Sequence, residues 1–251
     1  MKKIIKMTLF LLLCAQALSA QTVVVTNGWT AAFASLAGAG DLQVLAPYEM
    51  KHPPEYEITL KEMKMVADAD FLIFAGYEAM MGRIRESLGD NSSVQMIQIT
   101  TVNSRKVIRE SVMKIAEALG TVEKAEENLK DIDTFFDFWQ KDLSWHDDLL
   151  SSSVVHFHQQ GLAATLGFKP VLVFGPAAPT LGETRTVLDS KPLLIIDNFH
   201  NPVSSSFLEM KEKPAVVSWI NFPGHNGTKT MLDVLEYNRD ELNRVLQEKE
   251  L

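Results

Sequence analysis

The side chains best able to do chemistry in this sequence are its histidines. There are six, and five fall at the ends of short apolar runs or in the loops after them. His52 follows the run at 42–45, and His156 and His158 end the run at 154–157. His200 comes just after Asp197, and His225 just after Asn221. Only His146 lies elsewhere. Imidazole nitrogen is the usual nitrogen ligand of zinc, at about 2.0–2.1 Å, and carboxylate can complete the shell. One such histidine is most often a satisfied polar or surface group, but five at strand ends point to a shared cleft. His156 and His158 are two apart, so on a regular strand both would face the same side. The serines at 151–153 lie near His156 and offer a nucleophile, although serines before a strand are more often plain loop. The chain has no G-x-S-x-G elbow, H-E-x-x-H, P-loop or G-x-G-x-x-G. Met50, Met63, Met65, Met80 and Met81 could suit soft Cu(I). Their spacing sends them to different helix faces, which favours core filling.

These residues need elements to position them. Residues 23–26 read as strand, 29–37 as helix ended by Gly38 and Gly40, and 42–45 as strand. Thr59 caps a helix running to about residue 68, and 71–75 is an apolar strand of the kind covered on both faces. A helix at 77–88 and a strand at 94–99 follow. Residues 21–103 thus predict a βαβαβ-like lobe with a mainly parallel sheet. Residues 104–148 are helical. Ile108, Val112, Ile115 and Leu119 recur at helical spacing, and Gly120 breaks the run. Thr121 then caps a helix over 122–143 that carries Leu129, Ile132, Phe135, Phe136 and Trp139 on one side. At 1.5 Å per residue it is about 30 Å long. The charges at 123–131 form its solvated face. In residues 149–251 the alternation restarts, with strands at 154–157, 171–174, 193–196 and 216–220. Helices are expected at 159–166, 203–211 and 228–248, and a loop after residue 174. The predicted fold is α/β: two lobes with mainly parallel sheets, joined by a long backbone helix, with a ligand cleft between them.

The 251 residues are 46% apolar and 22% charged, too apolar for a disordered tail. The single Cys, Cys14, excludes a disulfide scaffold and a cysteine zinc finger. A net charge of −8 argues against nucleic acid as a partner, because phosphate affinity comes from clustered Lys and Arg. Residues 1–20 have a basic start (Lys2, Lys3, Lys6), an apolar run and small residues before Gln21, the pattern of a secretory signal peptide. The expected mature chain is exported to the periplasm. Lipid anchoring at Cys14 is the rival, with Leu13 where a small residue is usual. Removal of the three lysines takes the net charge from −8 to −11 and leaves no cysteine.

The stretch HPPEYEITLKEMKMVADADFLIFAG, from His52 to Gly76, resembles the solute-binding receptors of zinc and manganese ABC importers. Tyr56, Glu57, Ala67, Asp68, Ala69, Asp70 and Gly76 match that family's pattern. The segment VVHFHQQGLAATLGF resembles the place where a ligand histidine opens a helix ended by glycine. MLDVLEYNRDELNRVL resembles the closing helix, with its Tyr237–Asn238 pair. The resemblance implies two α/β lobes on a rigid helix with a metal between them. Of the four family ligand positions, His156 keeps the third. Pro54 stands at the first, no histidine is present at the second in ITTVNS, and Asn221 replaces the aspartate at the fourth. His52 and His225 lie close to two vacant positions.

The expected metal ligands are therefore His52, His156, His158 and His225. The expected function is an exported, monomeric, non-enzymatic receptor. It captures a divalent metal, zinc first and manganese next, and delivers it to the membrane permease of an ABC importer. The degenerate ligand set leaves two alternatives: the same fold binding a metal chelate or organic solute, or an exported hydrolase. The long helix should restrict lobe motion.

Overall fold

A computed structural model of the protein describes residues 21–207 and 213–249. The export signal and Cys14 lie outside the described residues. Two four-stranded sheets organise the chain, and every strand pairing is parallel. The first sheet holds β1 (Val23–Val25), β2 (Leu42–Val44), β3 (Phe71–Phe74) and β4 (Gln95–Gln98), in the order β2-β1-β3-β4. The second holds β5 (Ser153–His156), β6 (Leu172–Phe174), β7 (Leu194–Asn198) and β8 (Ala215–Trp219), in the order β6-β5-β7-β8. The two orders are the same. Central strands β3, β5 and β7 are buried along their whole length, β3 as its unbroken apolar sequence predicted, while β5 and β7 end in the buried polar residues His156, Asp197 and Asn198.

Local sequence sets most helix boundaries. α1 (Gly28–Leu36) starts at Asn27, whose side chain accepts from Trp29 N and Thr30 N. α2 (Leu60–Ala67) starts at the Thr59–Glu62 capping box. α3 (Met81–Leu88) begins four residues later than its periodicity suggests. The preceding Glu78 carboxylate accepts from the backbone of Ala75 and Gly76, holding that segment in a turn. α4 (Arg105–Leu119) ends on Gly120, and α5 (Val122–Leu143) follows. Thr121 does not cap α5 with its side chain; its hydroxyl donates to the Ala37 carbonyl and ties α5 to the end of α1. Part of the charged face of α5 is paired rather than simply solvated. Arg109 of α4 bonds Glu126 at 3.0 Å and Asp133 at 2.9 Å.

The second lobe holds two short helices that periodicity missed. α6 (Asp147–Ser151) precedes β5. α7 (Gln160–Thr165), where a helix was expected at 159–166, continues a 3-10 turn at Phe157–Gln159, and α8 (Leu181–Ser190), the second missed helix, stands where a loop was expected. The signal for α8 was present in the Thr180–Glu183 capping box. The expected helix at 203–211 is, in its described part, a 3-10 turn at Ser204–Phe207. α9 (Met231–Lys249) closes the chain.

One apolar core runs through both lobes. It joins Val25, Phe33 and Ile73 of the first to Val155, Ile196 and Trp219 of the second by way of Leu129, Ile132, Phe136 and Trp139 on α5. Trp139 meets Phe135 and Trp219 edge-on at 5.7 Å each. Met80 and Met81 are buried in the outer core of the first lobe, with Met63 and Met65 packed on it, so these four methionines fill core space. A second seam joins the lobes directly. A Cβ on Gly224 would lie 2.0 Å from the Tyr48 carbonyl oxygen, and one on Gly28 would lie 3.3 Å from the Pro223 carbonyl oxygen. Only glycine allows the chains to approach that closely.

Candidate functional site

A cleft of about 870 Å³ opens between the lobes. Most of its walls come from residues at or just beyond the carboxyl ends of strands in both sheets, where open parallel sheets bind ligands. From the first lobe come Asn27 after β1, Lys51 and His52 after β2, Tyr77 after β3 and Thr101 after β4. From the second come His158, Asn198, His200 and Asn221.

Of the four histidines expected to bind metal, His52 and His158 line this cleft, and His156 and His225 are not part of its lining. His156 is the last residue of β5 and is fully buried. Its Nδ1 accepts from His158 N at 3.1 Å, so its Nε2 carries the proton. That Nε2 has no hydrogen-bond partner and lies 2.5 Å from where a Cβ on Gly175 would sit. The ring therefore rests on bare backbone, and Phe174 meets it edge-on at 5.3 Å. Burial pushes its pKa down to about 4, against the attraction of Asp197 and with a smaller push from His158. The two rings are 5.2 Å apart. Burial also lowers the pKa of His158. His225 opens a short 3-10 turn, its ring 3.9 Å from Phe199 and 5.3 Å from Tyr237.

His200 is the cleft-lining histidine that the expected ligand set left out. It was visible as a strand-end histidine but matched no family ligand position. It is 8% exposed, lines the cleft, and stacks on Phe222 at 3.8 Å. Neither ring nitrogen makes a well-formed hydrogen bond. Burial pushes its pKa down to about 3, helped by the neighbouring His225, His52 and Lys51 and opposed by the Lys51 backbone. It is neutral throughout the physiological range.

The family's fourth position is answered clearly. Asn221 Oδ1 accepts from Gln159 Nε2 at 2.5 Å and from Asn198 Nδ2 at 2.9 Å. Backbone partners fix these orientations: Gln159 Nε2 also donates to the Trp219 carbonyl, and Asn198 Oδ1 accepts from His200 N and Asn201 N. The Asn221 oxygen is thus taken up by two amides. Asn103 spans the lobes, accepting from the Trp29 indole at 3.0 Å and donating to the Asn221 carbonyl at 2.7 Å.

Among the described residues, no three His, Cys, Asp or Glu side chains converge closely enough to hold a metal ion. Nor do the serines at 151–153 pair with His156; the Ser151 hydroxyl bonds the Asp147 carbonyl instead.

No protein-family model matches the sequence, and no curated protein does. Solved structures match over nearly the whole chain. A mutant of the laminin-binding adhesin (Lmb) of Streptococcus agalactiae is 16% identical, with a TM-score of 0.69, covering 90% of this chain and 99% of its own. A periplasmic metal-binding protein from Candidatus Liberibacter asiaticus is 14% identical, with a TM-score of 0.69 and the same coverages. The solute-binding protein FpvC of P. aeruginosa, in complex with Ni2+, is 14% identical, with a TM-score of 0.67, covering 91% and 98%. This chain has their fold. The expected architecture of two parallel α/β lobes, a long helix and a cleft is therefore correct, and the likeness speaks for the fold alone.

Proposed function

We propose that the protein is the exported capture component of an importer. It takes a divalent metal, zinc first and manganese second, into the interlobe cleft and presents it to a membrane permease. The observation that carries this reading is the meeting of His52, His158 and His200 on one cleft, at the carboxyl ends of two parallel sheets. The fold is shared with proteins described as metal-binding, which supports the same reading. In this reading His52, His158 and His200 are the donors. His156 holds the backbone of His158, and His225 packs beside Phe199. The exposed His52 and His158 must rotate inward onto the cargo. Neutral imidazoles are the binding form, so affinity falls in acid as protons compete with the metal for the ring nitrogens.

Metal analysis of the purified protein, followed by calorimetry on stripped protein with zinc and with manganese, tests this. His158→Gln and His200→Gln should each weaken binding by about tenfold or more. Folded protein that takes up no divalent ion overturns the reading.

A further inference from the structure

The cleft is poorly matched to a bare cation in both size and charge. Water occupies about 30 Å³ per molecule, so an ion with six waters needs roughly 200 Å³. The cleft has about 870 Å³. Its three lining histidines are neutral donors when they bind metal. Its charged lining is Lys51 and Lys114 against one carboxylate, the exposed Glu55. Two buried carboxylates, one in each lobe, are already committed. Glu78 accepts from Thr26 Oγ1, Ala75 N and Gly76 N, and Asp197 accepts from Asn198 N, Val203 N and Ser204 N. A dication would add two charges to a site that is already net positive, in a medium that screens less than water.

The polar groups facing the cleft lean the other way. Asn221 uses its oxygen on two amides and has no intramolecular acceptor for Nδ2, so it offers the cleft an N–H donor. The amino end of α1, with its partial positive charge, opens there beside Asn27 and Trp29. His200, more than nine-tenths buried, stands in the same wall with both ring nitrogens out of solvent and without a well-formed hydrogen bond, so its ring must turn to offer one to the cargo. We propose that the cargo is a metal already held in a small anionic polycarboxylate chelate: imidazoles of His52, His158 and His200 complete the metal's shell, and Lys51, Lys114 and Asn221 bind the carboxylates. This rests on the metal-capture reading above and deepens it.

The test is calorimetry on stripped, exported protein with four probes: zinc chloride, zinc citrate, zinc nitrilotriacetate and each chelator alone. A receptor for the bare ion must lose apparent zinc affinity when a chelator competes. A chelate receptor must gain it. We expect at least one zinc chelate to bind about tenfold or more tighter than zinc chloride. A Lys51→Gln/Lys114→Gln double variant should bring that ratio toward one. If both chelators weaken zinc binding, this proposal fails and bare-ion capture stands. If a chelator alone binds as tightly as its zinc complex, the metal is dispensable and both readings fail in favour of an organic anion. If nothing binds while circular dichroism and melting show a native fold, both readings fail as well.

Discussion

Replacing His156 with asparagine should remove a specific acid sensitivity from the protein. His156 is buried, and its Nδ1 must stay unprotonated to accept from His158 N at 3.1 Å. Its pKa is pushed down to about 4 from an ordinary 6.5, chiefly by burial. The sign follows from which state takes up the proton first. As pH falls below 6.5 the unfolded chain protonates this histidine while the folded chain does not, so stability is lost. The loss begins near pH 6.5 and levels off below about pH 4. A shift of that size would remove about 2 kcal/mol between pH 7 and pH 5. Some solvent screening around the cleft reduces this to on the order of 1–2 kcal/mol. Asparagine can place its Oδ1 where Nδ1 was, keep the bond to His158 N, and remain neutral.

The assay is urea unfolding of metal-stripped protein at pH 7 and pH 5, wild type beside variant. His156→Asn should be less stable at pH 7, because it loses ring contacts with Phe174 and Gly175. The informative quantity is the difference of differences. The variant should lose about 1–2 kcal/mol less than wild type on going to pH 5. Equal losses in the two proteins would show that His156 is hydrated in the folded state and that the buried geometry is wrong. His200 titrates in both proteins and cancels.

Two further outcomes follow from the lobe seam. Gly224→Ala places a Cβ 2.0 Å from the Tyr48 carbonyl at a backbone φ of 122°, so it should lower stability by about 2 kcal/mol or more, read from chemical denaturation. Asn103→Ala leaves the Trp29 indole and the Asn221 carbonyl without their shared partner. It should cost about 1–3 kcal/mol and raise local amide exchange on both sides of the cleft.

The scaffold was more legible in the sequence than the site, for a physical reason. Apolar runs, capping boxes and glycine stops act locally, so β3, α2 and the end of α4 could be read from neighbouring residues. Several family-like residues turn out to hold the scaffold. Tyr56 donates to Glu62 at 2.7 Å, Asp70 accepts from Thr22 N, and Asn238 bonds both backbone groups of Ile220. Site residues act through long-range geometry that spacing does not encode. Sequence spacing put His156 and His158 on one strand face. In the structure β5 ends at His156, and the 3-10 turn that follows sends His158 to the cleft and leaves His156 behind it. His200 was passed over because no motif marks a ring stacked on Phe222. α8 was missed although its capping box was in plain view, because the segment after residue 174 read as loop.

The position where the family pattern carries aspartate gives the sharpest test of how charge governs the cleft. In Asn221 one amide atom is occupied by Gln159 and Asn198, and the other faces the cleft without a partner. Asn221→Asp keeps the first role, since a carboxylate oxygen accepts the same two amide donors. It changes only the second: an N–H donor becomes an anionic oxygen in a site whose lining includes Lys51 and Lys114. Burying that charge should destabilise the empty protein by about 1–3 kcal/mol. The same charge should favour a bare cation and repel a carboxylate. We therefore expect zinc chloride to bind about tenfold or more tighter than to wild type, which is about 1.4 kcal/mol, and any preference for a zinc chelate to shrink. If the folded variant binds both as the wild type does, Asn221 does not face the cargo. The donor atoms must then be sought nearer His52, on the outer wall of the cleft.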